Sequence, residues 1–220
     1  MKFRMLTVGV VCVVFAMGFG LSAFGQELKP IQLPEPRLDT SKSLAQALKD
    51  RKTIREYALD NLPEQTLSNL LWAAWGINRP DSGRRTAPSA INWQEIDVYV
   101  ATTQGMYLYD PKGNALIPVV SGDIRALTYT QVDRFKDAPL NLVYVADLEK
   151  TGQGEEATKM LLVAMDTGFV AENVYLYCAS EGLATAYRVS IDKPKLAEAI
   201  KLRPTQRIMG AQSIGLPKVK

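Results

Sequence analysis

The sequence contains no histidine among its 220 residues. This absence excludes Ser-His-Asp and Cys-His catalysis, because both use an imidazole as the general base. Metal sites that depend on imidazole ligands are excluded for the same reason. The chain therefore lacks the side chain that enzymes use most often for proton transfer near neutral pH.

Cysteine is almost as scarce, with only Cys12 and Cys178 in the chain. Cys12 lies in an apolar N-terminal run that we expect to be removed, so the mature chain keeps one cysteine. A single cysteine allows no internal disulfide, no CxxC redox motif and no cysteine-rich zinc site. Because Cys178 stands in an apolar stretch, we expect it to be a small buried hydrophobic residue.

Neither sign of charge is in large excess, since the formal net charge is +3 and Lys2 and Arg4 supply two of the positive charges. A nucleic-acid-binding protein needs a concentrated basic face, which this balance does not favour. Hydrophobic residues make up 47% and charged residues 22% of the chain. These fractions are typical of soluble globular proteins, and the length suits one large domain with at most a short arm.

The N-terminal segment has the features of a signal peptide. Two of residues 1–4 are basic, residues 5–21 carry no charge, and small residues precede a predicted cleavage site after Gly25. Alternatively, the uncharged residues 5–25 are long enough to span a bilayer and to stay as an anchor. Both interpretations place the rest of the chain outside the cytoplasm, and we predict an exported, periplasmic protein.

Residues 26–40 contain Pro30, Pro34 and Pro36. This spacing predicts an extended, proline-rich leader without a core of its own. We expect a single domain over residues 41–220.

Hydrophobic periodicity predicts an α+β domain in which helices flank a mostly antiparallel central sheet. Apolar residues surround most of the longest predicted helix, so we expect that helix to be central and buried. Helices are expected from Ser41 or Ser43 to Asp50 and over residues 63–76, 155–182 and 194–201. Strands are expected over residues 96–100, 106–109, 142–146, 184–189 and 208–214.

A basic segment, Arg51-Lys52-Thr53-Ile54-Arg55, follows the first predicted helix. In an extended chain, Arg51, Thr53 and Arg55 share one side and Ile54 faces the core. Two guanidinium groups beside a hydroxyl match the oxygens of a phosphate. The alternative is a solvated basic helix end that interacts favourably with the helix dipole.

Two further segments offer contacts to a planar ligand. Pro88 and its small neighbours let the backbone approach a flat ring, and Ser89 and Asn92 offer hydrogen bonds in the ring plane. After the longest helix, Gly182 and Leu183 can present backbone N–H groups. Taken alone, the first segment is better explained as a polar loop and the second as helix packing with a helix cap.

Taken in this order, the segments resemble the nitroreductase-like FMN flavoprotein family over roughly residues 41–217. The family's Arg-Arg-Ser-x-Arg motif corresponds to residues 51–55, and its Leu-Leu-Trp-Ala-Ala-x-Gly helix corresponds to residues 70–76. The family motif Arg-Thr-Ala-Pro-Ser-Ala stands unaltered at residues 85–90. The strand pair that ends at residues 107–110 looks like the branch containing ring-oxidising peptide dehydrogenases.

The resemblance implies a homodimer with FMN at its interface. Arg51 and Thr53 would contact the phosphate and the ribityl chain, and Lys52 keeps the charge of the family's second arginine. Arg55 would lie toward the pyrimidine edge of the flavin, where a positive charge stabilises the reduced ring.

The resemblance also implies the residues around the flavin ring. Four residues would line the isoalloxazine from the partner subunit: Pro88, Ser89, Ala90 and Asn92. The backbone of Gly182 and Leu183 would approach flavin N5 and O4. Many family members supply a further basic residue to the phosphate beyond the last strand, and Lys218 or Lys220 would take that role here.

The function implied is an exported FMN-dependent oxidoreductase. It would transfer a hydride or electrons through flavin N5, to or from a small organic substrate of the nitro, quinone or heterocycle type. Because the flavin does the chemistry, no acid–base side chain is needed, which agrees with the missing histidine. The alternative that stays open is a non-catalytic envelope protein that binds a flavin or another planar ligand.

Overall fold

The computed structural model describes residues 27–219 of the chain. The predicted signal peptide and its cleavage site after Gly25 lie outside the described residues, and so does Lys220. Over residues 27–219, no helix is both long and apolar enough to cross a bilayer.

Four of the five helices in the described residues were predicted from the periodicity of the sequence, and the short helix Val132–Phe135 was not. In chain order over residues 27–219, they are α1 (Leu44–Asp50), α2 (Glu64–Trp75), α3 (Val132–Phe135), α4 (Glu156–Glu181) and α5 (Lys193–Ala199). Ser43 caps α1, because its hydroxyl accepts a hydrogen bond from the Gln46 amide at 3.1 Å. Gly182 ends α4 with a φ of 69°, in the left-handed region that favours glycine. Both boundaries were predicted from the sequence.

The strands include all five that were predicted. In chain order over the described residues, they are β1 (Ile31–Gln32), β2 (Ile77–Arg79), β3 (Arg84–Arg85), β4 (Ile96–Ala101), β5 (Gly105–Asp110), β6 (Ala115–Ser121), β7 (Leu140–Asp147), β8 (Ala184–Arg188) and β9 (Gln206–Gly215). Strands β1, β2, β3 and β6 are additions to the prediction. The central Pro118 of β6 argues against a strand when the sequence is considered alone.

Seven strands form one sheet in the order β1-β6-β5-β4-β7-β9-β8. Each neighbouring pair is antiparallel. Strands β2 and β3 form a separate two-stranded hairpin. This arrangement confirms the predicted α+β class, with β7 near the middle of the sheet.

The central sheet is buried on both faces. Side chains alternate along β4, so Val98 and Val100 join the cluster that packs against α2 and α4. Tyr99 and Ala101 point to the other face, where α5 contributes Leu196 to a second cluster. The domain therefore has three layers, with the sheet between α2 and α4 on one side and α5 on the other.

Helix α4 is buried along one side only. Val163, Val170 and Val174 are fully buried against the sheet, and Cys178 is fully buried as predicted. The opposite side is exposed, so the expectation that the whole helix is buried is wrong for the single chain. The large apolar residues on this exposed side are Leu161, Met165 and Phe169, which are 61%, 50% and 43% exposed.

The proline-rich leader lies along the domain. Ile31 pairs with Leu116 at the edge of the sheet, and Leu33 is buried in the main core. Farther along, the Asn69 amide donates to the Arg37 carbonyl at 2.7 Å. The leader thus uses the core of the domain instead of forming its own.

Candidate functional site

Residues 51–55 run from the end of α1 along the outer edge of β8. The Ile54 amide donates to the Thr185 carbonyl of β8 at 3.0 Å. The Ile54 side chain packs against the cluster that contains Ala184 and Ala186. Ile54 therefore faces the core, as the alternation of an extended segment predicted.

Tyr175 of α4 holds the polar side of this segment in place. The Arg51 guanidinium lies 5.5 Å from the centre of the Tyr175 ring, in cation–π contact. The Tyr175 hydroxyl accepts the Tyr187 amide at 2.9 Å, which leaves its own hydrogen free for the Thr53 hydroxyl at 3.2 Å. Sequence reasoning missed Tyr175, because it lies 122 residues from Thr53 and belongs to no motif.

The remaining cations of the segment extend this site. Lys52 and Arg55 are exposed, and the Lys218 amide donates to the Glu56 carbonyl at 3.1 Å, which brings Lys218 beside them. We call Arg51, Lys52, Arg55 and Lys218 the cation cluster. None of its members takes part in an ion pair within residues 27–219. A hydroxyl beside several uncompensated cations fits a phosphate group.

Residues 88–94, which we call the 88–94 loop, are anchored to α4. The Ala90 amide donates to the Asp166 carboxylate at 2.7 Å. Within the loop, the Ser89 hydroxyl accepts the Gln94 amide at 3.0 Å. Pro88 is exposed. The predicted ring-lining residues therefore belong to one ordered loop rather than to a solvated connection.

The backbone of the 88–94 loop is strained. Ile91, Asn92 and Gln94 have φ values of 53°, 57° and 51°. These values lie in the left-handed region, which a β-branched residue such as isoleucine rarely adopts. Ile91 is also 81% exposed. Such a conformation costs roughly 1–3 kcal/mol per residue and persists only where the surroundings enforce it.

The Arg85 side chain contacts the 88–94 loop. Its Nε donates to the Gln94 side chain at 2.9 Å, and its guanidinium lies 5.6 Å from the centre of the Trp75 ring. Burial lowers the pKa of Arg85. Its Nη1 and the Thr86 hydroxyl are buried and have no hydrogen-bond partner among residues 27–219. Buried polar atoms of this kind beside the loop suit a ligand that carries hydrogen-bonding groups.

Gly182 and Leu183 lie where α4 ends. Both amides donate to the Cys178 carbonyl, so these N–H groups are already paired within the cap. Gly182 is exposed, and nothing lies within 4 Å of the position that a Cβ would take. The glycine therefore leaves space for close approach of a ligand to the backbone.

The predicted site residues fall into two groups within one chain. The cation cluster meets α4 at Tyr175, whereas the 88–94 loop meets α4 at Asp166. Nine residues of helix separate these two points, which corresponds to about 13 Å along the helix axis. One chain thus brings the cations together with Thr53, and holds the ring-lining residues apart from them.

An antiparallel sheet between helical layers, with an uncompensated cation cluster at its edge and no histidine, defines an α+β protein suited to a phosphate-bearing cofactor. The sequence matches the nitroreductase family over residues 48–216. The chain belongs to the nitroreductase family, as the resemblance of its motifs predicted.

Two similar proteins share most of their length with this chain. A nitroreductase homologue of Ralstonia eutropha JMP134, known from a crystal structure, is 38% identical with a TM-score of 0.83, over 89% of this chain and 93% of its own. A nitroreductase homologue of Methanocaldococcus jannaschii is 29% identical over 182 residues, which cover 79% of this chain and 90% of the homologue.

A third similar structure contains a cofactor. It is a nitroreductase homologue of Desulfovibrio desulfuricans in complex with FMN, with 17% identity and a TM-score of 0.59 over 83% of this chain and 89% of its own. At this level of identity, the likeness shows that the two proteins share a fold.

Proposed function

We propose that this chain is an exported FMN-dependent oxidoreductase that works as a homodimer. Membership of the nitroreductase family supports the oxidoreductase activity. The observation that carries the proposal is the cation cluster, in which Tyr175 contacts Arg51 and Thr53 and no member forms an ion pair within residues 27–219. Export is proposed from residues 1–25, which have the composition of a signal peptide.

The roles of the side chains follow from their placement. Arg51 and Thr53 would bind the phosphate of FMN, and Lys52 and Lys218 would add positive charge around it. Arg55 would lie toward the pyrimidine edge of the flavin. Tyr175 holds the Arg51 and Thr53 side chains in place before FMN binds, so these side chains lose less conformational entropy on binding. When bound, FMN supplies the hydride and electron chemistry at its N5. None of these side chains needs to transfer a proton.

The exposed side of α4 supports the homodimer. It carries Leu161, Met165 and Phe169, together with Gly168. A glycine inside a helix costs about 1 kcal/mol relative to alanine. Within residues 27–219, nothing outside the neighbouring turns of α4 lies within 4 Å of a Cβ built at Gly168, so packing among these residues does not require a glycine there. An apolar strip with a glycine at its centre suits close packing against a second helix of the same kind.

A two-fold axis across this strip would also complete the site. Along α4, residue 170 lies about midway between Asp166 and Tyr175, and it directly follows Phe169. If two α4 helices cross there in antiparallel fashion, Asp166 of each chain approaches Tyr175 of the other. The 88–94 loop of one subunit would then face the cation cluster of its partner, as the family resemblance implies.

The first test is the spectrum and turnover of the purified protein. We expect it to bind FMN with flavin absorbance bands, to be bleached by dithionite and to be reoxidised by a nitroaromatic compound or a quinone. A protein that shows no flavin bands even after FMN is added would contradict the flavoprotein proposal. Binding without reoxidation by any of these acceptors would instead support the non-catalytic flavin-binding alternative.

Arg51→Ala is expected to weaken FMN binding by about tenfold to about a hundredfold. The reason is that charge-assisted hydrogen bonds to a phosphate contribute roughly 1.5–3 kcal/mol. Fluorescence titration of FMN measures the dissociation constant. Lys49→Ala is the matched control, because Lys49 is exposed in the last turn of α1 and lies outside the cation cluster. Equal affinities of the two variants would refute the phosphate role of Arg51.

A further inference from the structure

Two buried carboxyl groups lie side by side beneath the 88–94 loop. Glu95 is fully buried, and Asp166 is 3% exposed. Neither oxygen of Glu95 accepts a hydrogen bond from a donor in the described part of the chain. The Asp166 carboxylate lies near enough to Glu95 to raise the pKa of the Glu95 carboxyl group. A buried carboxyl group without a donor is best satisfied when it is protonated and donates to the neighbouring carboxylate.

The surrounding charges favour one shared proton. Burial and, less strongly, the Asp166 carboxylate raise the pKa of Glu95 to about 7, against the opposing effects of its own backbone amide and of Lys150. Lys150 is engaged elsewhere, because its ammonium lies 2.6 Å from the Asp97 carboxylate. Two adjacent carboxylates cannot both ionise freely in a buried site.

The second carboxylate of the pair holds the loop. Asp166 accepts the Ala90 amide at 2.7 Å, directly before the left-handed residues Ile91 and Asn92. A loop with this strain needs anchors that outweigh its cost. If Glu95 ionised, repulsion would favour movement of Asp166 away from its present position, and the Ala90 anchor would weaken.

We propose that Glu95 and Asp166 are positioning residues for the flavin site. The proton shared by their carboxyl groups keeps Asp166 on the Ala90 amide, and the loss of that proton releases the 88–94 loop. The role in flavin binding rests on the proposed function, whereas the coupling between proton and loop is a property of the chain itself.

Hydrogen exchange of the FMN-free protein tests the coupling. The amides of the 88–94 loop are compared between wild type and Glu95→Gln at equal pH, since the glutamine stays neutral and can donate to Asp166. At about pH 6 we expect similar rates, because wild-type Glu95 is mostly protonated. At about pH 8 we expect wild type to exchange roughly tenfold faster. Equal rates at both pH values would overturn the proposal.

A second variant and a control keep the test decisive. Asp166→Asn keeps an oxygen that accepts the Ala90 amide and adds a donor for ionised Glu95. In this variant, the exchange rates of the loop amides should therefore not depend on whether Glu95 is ionised. Asp97→Asn is the matched control, because it changes a nearby carboxylate on β4 that pairs with Lys150. In the control, the exchange rates of the loop amides should depend on pH as they do in wild type. If all three variants lose this pH dependence, the effect is not specific to the Glu95–Asp166 pair.

FMN affinity separates this proposal from the proposed function. We expect the wild-type dissociation constant to rise roughly tenfold from about pH 6 to about pH 8, and that of Glu95→Gln to change much less. If neither protein binds FMN but the exchange difference remains, the proton coupling stands and the flavin function is wrong. If FMN binds with the same pH dependence in both, the pair does not position the flavin site.

The pH dependence of stability has a definite sign. The pKa of Glu95 is about 7 in the folded chain, above its ordinary value of 4.5. Between these values the native state binds more protons than the unfolded state, so stability falls as the pH rises. Above about pH 7 this effect levels off. Urea unfolding should show the fall in wild type and not in Glu95→Gln.

Discussion

Arg188→Ala is expected to lower the free energy of unfolding by about 4 kcal/mol. Arg188 is only 6% exposed, and its guanidinium donates to Ser213, Asn141 and both oxygens of Thr128 at 2.8–3.1 Å. Alanine would leave the Thr128 carbonyl without its donor and would open a cavity, whereas Asn141 would keep its hydrogen bond from the Ser213 hydroxyl. Because small domains are stable by roughly 5–15 kcal/mol, the loss is a large fraction of the total.

The environment of Arg188 makes this residue unusual. No ion pair within residues 27–219 includes it. Instead, its guanidinium lies 4.3 Å from the centre of the Phe135 ring and 5.7 Å from that of Tyr129. Burial lowers the pKa of Arg188 to about 10, so the group stays charged at neutral pH. Aromatic faces and neutral acceptors replace the usual carboxylate.

Chemical unfolding with two comparison variants measures the effect. Arg134→Ala is the control, because Arg134 is exposed on α3 and should change stability by less than about 0.5 kcal/mol. Arg188→Met keeps much of the contact with Phe135 but supplies no donor, so we expect it to recover only part of the loss. A loss below about 1 kcal/mol for Arg188→Ala would show that its hydrogen bonds contribute little.

Met165→Glu is expected to weaken the homodimer by at least about a hundredfold. Met165 is 50% exposed in the single chain, so a carboxylate there should leave the fold of the subunit unchanged. In the proposed interface the same carboxylate would be buried against Phe169 of the second copy without a partner, which is costly. Light scattering across a dilution series measures the association.

FMN binding should fail together with the dimer, because each site would take its 88–94 loop from the second subunit. Val132→Glu provides the control, since Val132 is 56% exposed and lies at the start of α3, outside the strip on α4. We expect the control to stay dimeric and to bind FMN. A Met165→Glu protein that remains dimeric would place the interface elsewhere, and a monomer with full FMN affinity would show that one chain forms the site alone.

Local patterns in the sequence were enough to predict much of the fold. The Ser43 cap, the Gly182 stop and the inward direction of Ile54 each depend on neighbouring residues, and the structure confirms them. In contrast, the sequence led to an overestimate of how much of α4 is buried. Its apolar residues divide between the sheet and the exposed strip with Met165, and periodicity does not distinguish a core from an interface between subunits.

The site residues that the sequence did not predict depend on contacts between positions far apart in the chain. Tyr175 contacts Thr53 from 122 residues away. Asp166 meets Ala90 from 76 residues away. Glu95, directly before a strand, has no local pattern that distinguishes it from a solvated acid. Only the packing of α4 against the sheet brings these groups together, and no motif in either segment encodes that approach.

The strand order has a consequence for how the chain acquires its structure. β9 lies between β7 and β8, so β8 has no place in the sheet until residues 206–215 have been synthesised. The segment with Arg51 and Ile54 attaches to β8 in turn. Nascent chains that still lack their last strand would therefore keep this edge unstructured, and the earliest part of the binding site would be completed among the last steps of folding.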